Sequence, residues 1–117
     1  MAARLALIAS VLVCLGACSR TLAPSEIASL SDAAPGVLQA ASLSSDVPAS
    51  QWPPAVSRLK PERVYVTPDG LYVVTSSFFV EERGFFVPRT AGFSGQSGTD
   101  PSYTLIGQGV YSYHIKG

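Results

Sequence analysis

Few residues in this chain carry side chains able to do chemistry, and their spacing limits what they can do together. His114 is the single histidine, and the two cysteines, Cys14 and Cys18, both lie near the start. A zinc site needs several convergent His or Cys ligands, so no metal and no cofactor are expected. Glu81 and Glu82 are adjacent acids beside Arg83. Glycoside chemistry requires two carboxyl groups flanking one bond, whereas neighbours in a strand point to opposite faces. The pair therefore reads as solvent-facing hairpin residues. A Ser-His-Asp arrangement could formally use His114 and Asp100, but no serine sits in a G-x-S-x-G elbow, and neither HExxH nor a P-loop occurs. His114 reads instead as a half-exposed residue on the polar face of a strand. The expectation is a chain that is not an enzyme.

The cysteines suggest a different chemistry. Leu15-Gly16-Ala17-Cys18 is an aliphatic residue, two small residues and a cysteine. It follows Arg4 and the apolar run Leu5 to Val13. That run is shorter than the roughly 20 residues a spanning helix needs, and it suits the apolar region of a secretory signal. Together these features resemble the lipobox signal of bacterial lipoprotein precursors. The resemblance covers Met1 to Cys18. It implies a signal peptide over residues 1–17 and cleavage between Ala17 and Cys18. Cys18 would carry a diacylglyceryl thioether, and its new amino group would be acylated. Cys14 follows the branched Val13 and would leave with the signal, so the mature chain would hold neither a free thiol nor a disulfide. The resemblance further implies a lipid-anchored location at the bacterial cell membrane. Ser19 after the cysteine points to an outer membrane, with the domain facing the periplasm.

The elements that would position everything else fall downstream. All the tryptophan, tyrosine and phenylalanine residues lie from Trp52 onwards. Aromatic side chains supply much of a small core, so the expected domain boundary is near Ser50. Residues 18–50, rich in Ser, Ala and Pro, read as a lipidated cysteine followed by a flexible tether with a reach of roughly 30 Å. Two short helical turns, one after Ser25 and one opening at Pro35, are the alternative. Trp52, Val56 and Leu59 share one helical face between Pro53-Pro54 and Pro61. From Arg63 the period changes to two. Strands are expected at 63–67 and 71–75, joined by the Pro68-Asp69-Gly70 turn. Phe78 to Glu81 then lead to a second turn at Glu82-Arg83-Gly84, with Gly84 left-handed. A strand at Phe85 to Val87 follows. The chain closes with Tyr103 to Ile106 and Val110 to Ile115, either a strand pair or one strand with a glycine bulge. Tyr111, Tyr113 and Ile115 share one face there, and Val110, Ser112 and His114 the other.

The expected architecture is α+β: a small antiparallel β-sheet meander of four to five strands with one short N-terminal helix, preceded by a signal peptide and tether. The organisation is 1–17 signal, 18–50 tether and 51–117 β-rich domain. Eight basic and eight acidic residues balance and are scattered, which argues against nucleic acid as a partner. The loop from Arg89 to Ser102 is long for a compact domain. Arg83, Arg89, Phe93 and Asp100 form the candidate binding surface, with Phe93, in the middle of the loop, either exposed or folded back on the core. The functional expectation is a non-enzymatic envelope lipoprotein that binds a partner protein or a cell-wall polymer. The alternative is an inhibitor or immunity-type lipoprotein acting through the 89–102 loop.

Overall fold

The computed structural model of the protein describes residues 20–117. The expected signal peptide, the lipobox Leu15-Gly16-Ala17-Cys18 and Cys14 lie outside the described residues. The fold is α+β: one six-stranded antiparallel sheet and one main helix.

The helix, α1, spans Pro24–Ala40. It begins where Pro24 supplies a preset φ at the first helical position and the Glu26 carboxylate accepts a hydrogen bond from the Ala23 N–H. Leu30, Ala34, Val37 and Leu38 are buried along it. Their spacing of four, three and one forms a single apolar stripe; Ile27 extends it, and Ala41, the extended residue that caps the helix, packs against the same core. The tether expected over residues 18–50 is thereby corrected, and so is the boundary near Ser50. A 17-residue helix occupies the centre of that segment and covers one face of the sheet. Aliphatic residues supply enough of the stripe to pack without aromatics. Pro35 lies inside α1 rather than opening a separate turn.

After α1 come β1 (Ser45–Asp46), a 3₁₀ turn at Ala49–Gln51 and a short helix α2 (Pro54–Ser57). Val56 and Leu59 are fully buried. Trp52 packs half-buried against the same core, its indole Nε1 donating to the Val47 carbonyl oxygen. The expected packing face is present, although the helix itself is a single turn. Then follow β2 (Arg63–Thr67), β3 (Gly70–Phe78), β4 (Glu81–Pro88), β5 (Ser102–Gly107) and β6 (Val110–Ile115).

The sheet order is β1-β2-β3-β4-β6-β5. There are six strands rather than four or five, and the arrangement departs from a plain meander. The chain leaves β4, runs out to the edge as β5, and returns as β6 between β4 and β5. The β5–β6 connection is a hairpin whose Gln108 and Gly109 both have positive φ (48° and 77°), the conformation that matches the twist of the flanking strands.

Gly84 corrects another expectation. It is not a left-handed turn residue but lies inside β4, paired with Val74 and Tyr113. A Cβ there would sit 2.0 Å from the Val73 carbonyl oxygen, so glycine permits the close approach of β3. The turn falls earlier, at Phe79-Val80, with Phe78 opposite Glu81.

The sheet has two unlike faces. On the α1 side, Val64, Val66, Leu71, Val73, Phe85, Val87 and Val110 pack with the helix. On the other side one register row runs Tyr65–Tyr72–Phe86–Tyr111–Leu105 across five strands. Tyr72, Phe86 and Tyr113 form the buried centre of this aromatic layer. Tyr65 stacks on Tyr72 at 4.8 Å, and Tyr113 meets Tyr72 edge-on at 5.0 Å.

Candidate functional site

Strand alternation places Glu81, Arg83 and Phe85 on the α1 side of β4, and Glu82, Gly84 and Phe86 on the aromatic side. Each of the two neighbouring acids therefore meets a different set of partners. The Glu82 carboxylate accepts hydrogen bonds from the hydroxyls of Tyr65 and Tyr113, both 2.7 Å from the same oxygen. It is half-buried rather than solvent-facing as expected, because the flanking tyrosines bring their hydroxyls to it. Burial pushes the phenols of Tyr65 and Tyr113 up from the ordinary range, and the Glu82 carboxylate adds to the shift. Tyr72 is likewise pushed up, first by burial and then by its hydrogen bond with the Tyr103 hydroxyl. All three are held as neutral phenols by apolar surroundings and acceptor oxygens.

On the opposite face Glu81 Oε2 lies 3.2 Å from His114 Nε2. His114 stands opposite Arg83 on β4 and Ser102 on β5. These residues border a cleft of about 580 Å³ that also takes in Arg20, Thr104 and Ser112. Leu22, Ile27, Phe85 and Ile106 give it an apolar side. Its volume falls within the range of small-ligand pockets, and its wall is more polar than that of most of them. Its charge comes from two guanidinium groups, and Glu81 is drawn towards His114. The hydroxyls add further donors, so the cleft suits an anionic group attached to an apolar stem. Nucleophilic catalysis would need a hydroxyl or thiol hydrogen-bonded to the imidazole. The Ser102 hydroxyl donates to the His114 backbone carbonyl oxygen rather than to its ring. Among the described residues no group of three His, Cys, Asp or Glu side chains is placed to hold a metal ion.

The four candidate binding residues singled out from the sequence are not brought together. Arg83 lies in the cleft wall, exposed. Arg89 is turned inward at the far end of β4, where its guanidinium donates to the carbonyl oxygens of Thr67 (2.9 Å), Pro68 (3.2 Å) and Leu38 (3.4 Å). Phe93 folds back and packs on Phe86, Tyr103 and Tyr111 at 4.9–5.3 Å. Asp100 accepts from the Lys116 N–H at 2.8 Å. The loop also guards the β5 edge, since the Tyr103 N–H donates to the Gln96 carbonyl oxygen. Covering an edge in this way removes a template for unwanted strand pairing.

The sequence alone does not place Arg20 in the cleft or Glu81 beside His114: Arg20 reads as one scattered charge. The two-residue period does place Glu81, Arg83 and Phe85 on one face, and that signal was present. The pairing of β4 with β6 was not.

Comparison with protein-family models, with curated proteins and with solved structures gives no match to this chain. Any functional reading therefore rests on the residues and geometry above.

Proposed function

We propose that the chain is a lipid-anchored, non-enzymatic binding module of the bacterial envelope, held directly on the membrane surface. The reading begins from the lipobox resemblance at Leu15-Gly16-Ala17-Cys18, which makes Cys18 the lipidated residue and residues 1–17 a signal peptide. Each buried methylene of an acyl chain contributes about 0.8 kcal/mol, and stable anchoring takes more than one chain. A diacylglyceryl group with a further amide-linked chain meets that requirement. Ser19 favours the outer membrane, with the domain in the periplasm.

The observation that carries the proposal is the attachment of Arg20 and Leu22 to the fold. Leu22 is 6% exposed and belongs to the core, and the Arg20 guanidinium donates to the Leu59 carbonyl oxygen. Two residues of chain span at most about 7 Å. A lipid on Cys18 would therefore hold the domain against the headgroups, where a tether would have let it range over roughly 30 Å. This shorter reach favours a partner in the same membrane over a distant cell-wall polymer. The cleft beside the anchor, with Arg20 and Arg83, suits an acidic segment of an envelope protein. The inhibitor alternative has less support, because Arg89 and Phe93 are engaged within the fold.

Crosslinking in intact envelopes tests the reading. The wild-type chain should capture a membrane-resident protein, and an Arg83→Glu variant should lose several-fold of that capture. Stoichiometric capture of an envelope hydrolase, undiminished by Arg83→Glu, would favour the inhibitor alternative.

A further inference from the structure

The β3–β4 hairpin ends in Phe78-Phe79-Val80, residues that neither the cleft nor the core uses. Phe79 is 90% exposed, Val80 70% and Phe78 69%. The two rings meet each other at 4.4 Å. Phe79 also holds a positive φ of 59°, where Gly, Asn or Asp is ordinarily favoured. An aromatic at that position works against both backbone preference and solvent exposure. A conformation of this kind, retained at an exposed tip, points to a function for the side chain.

The tip lies at the end of the sheet that Arg20 joins: Arg20 donates to the Leu59 carbonyl oxygen, and the N–H of Glu62, three residues on, donates to the Val74 carbonyl oxygen in the tip-side half of β3. Arg20 borders the same cleft as Thr75 and Arg83. Ser76 pairs with Arg83, and Phe78 with Glu81, so the tip projects roughly 10 Å beyond that wall at about 3.3 Å per residue. The Pro68-Asp69 turn lies at the other end of β3, a strand of nine residues, about 27 Å away by the same rise. The acids nearest the tip are all engaged. Glu81 faces His114, Glu82 holds two tyrosine hydroxyls, and Glu62 accepts from the Ser77 hydroxyl.

We propose that Phe78-Phe79-Val80 is a membrane-inserting wedge. It enters the interfacial region of the same leaflet that holds the Cys18 lipid, and so fixes how the domain faces the surface. This rests on the lipid-anchor reading given above. Aromatic and aliphatic side chains partition into the boundary between headgroups and acyl chains. The lipid supplies attachment, and the wedge supplies orientation. With both in place the domain no longer turns freely about its anchor, and the β2–β3 turn points away from the bilayer.

Site-directed spin labelling of the full chain, expressed and recovered in membranes, tests this. Cys14 leaves with the signal and the Cys18 sulfur is a thioether, so Phe79→Cys and, as a control, Asp69→Cys each introduce one reactive thiol. Phe79 is almost wholly exposed, so its replacement removes no core contact, and Val80→Cys provides a second label site. The intact mass of each recovered protein reports the lipid separately. The expected result is a label at 79 or 80 that collides several-fold more with oxygen than with a polar nickel chelate, while the label at 69 shows the reverse. A lipidated protein whose tip label matches the control overturns the wedge and leaves the anchor standing. A tip label shielded from both reagents indicates a protein partner and also overturns it. Where the lipid mass is missing, Cys14 and Cys18 are themselves reactive thiols, so the labels are then read in a Cys14→Ser, Cys18→Ser background, in which an oxygen-preferring tip retains the wedge and removes the anchor.

Discussion

The Arg20 guanidinium donates to the carbonyl oxygen of Leu59, across 39 residues of sequence. The chain is thus fastened to the folded domain two residues after Cys18. Leu22, next along, is buried in the core shared by α1 and the sheet. The start of the described chain is part of the domain, so the proposed anchor at Cys18 would leave only about two residues of slack between lipid and fold.

Substitutions at the start of the chain should therefore act on stability. Leu22→Ala should cost about 2–3 kcal/mol, as other buried leucine truncations do, and Leu30→Ala, fully buried in α1, about 3–4 kcal/mol. Urea midpoints of the two variants against wild type measure this. Unchanged midpoints would mean that the segment is a tether after all.

Gly84→Ala should prevent folding. Its Cβ would press on the Val73 carbonyl oxygen at 2.0 Å, and neither backbone can yield without breaking the β3–β4 ladder. Far-UV circular dichroism of the purified variant gives the answer, and a native-like spectrum with an unchanged urea midpoint would contradict the close approach.

The tyrosine layer predicts an alkaline limit to stability. The phenols of Tyr65, Tyr72 and Tyr113 are pushed up in the fold by burial, while an unfolded chain ionises them near pH 10. Above that pH the unfolded state binds fewer protons than the folded one, so stability falls as pH rises. The contribution is complete below about pH 10 and is lost progressively above it. Tyrosinate absorbance should rise in a step together with the loss of ellipticity, and Tyr113→Phe should make that step smaller. Ionisation of all five tyrosines near pH 10 with the fold intact would contradict the buried layer.

Arg89 joins the β2–β3 turn to the C-terminal end of α1 through three backbone carbonyls. Arg89→Ala should cost about 2 kcal/mol, since it removes charged hydrogen bonds. Arg89→Lys should recover only part of the loss because an ammonium lacks the planar fork. Thermal melts of both variants check this, and partner capture by folded Arg89→Ala at low temperature should remain at the wild-type level.

What the sequence made legible, and what it hid, follows from how local each signal is. The strand at Arg63–Thr67 and the turn at Pro68-Asp69-Gly70 were readable, because alternation and turn chemistry are local. The face shared by Tyr111, Tyr113 and Ile115 was readable for the same reason, and these three do belong to the aromatic layer. α1 is hard to read because Ile27, Leu30, Val37 and Leu38 are thinly spaced, and the helical stripe closes only when the small Ala34 counts with them. Gly84 was misread because a glycine can serve a left-handed turn or a close approach, and only the neighbouring strand distinguishes them. The meeting of Glu81 with His114 depends on β6 inserting between β4 and β5, a long-range pairing with no local signature.

The lipid on Cys18 is the premise of the surface-held domain, and one measurement bears on it most directly: the intact mass of the protein extracted from the membrane fraction, with and without Cys18→Ser. The account predicts a wild-type chain beginning at Cys18 and carrying the mass of a diacylglyceryl group with a further acyl chain, and a Cys18→Ser chain that lacks this mass and leaves the membrane fraction. A wild-type chain that is soluble and unlipidated would contradict it.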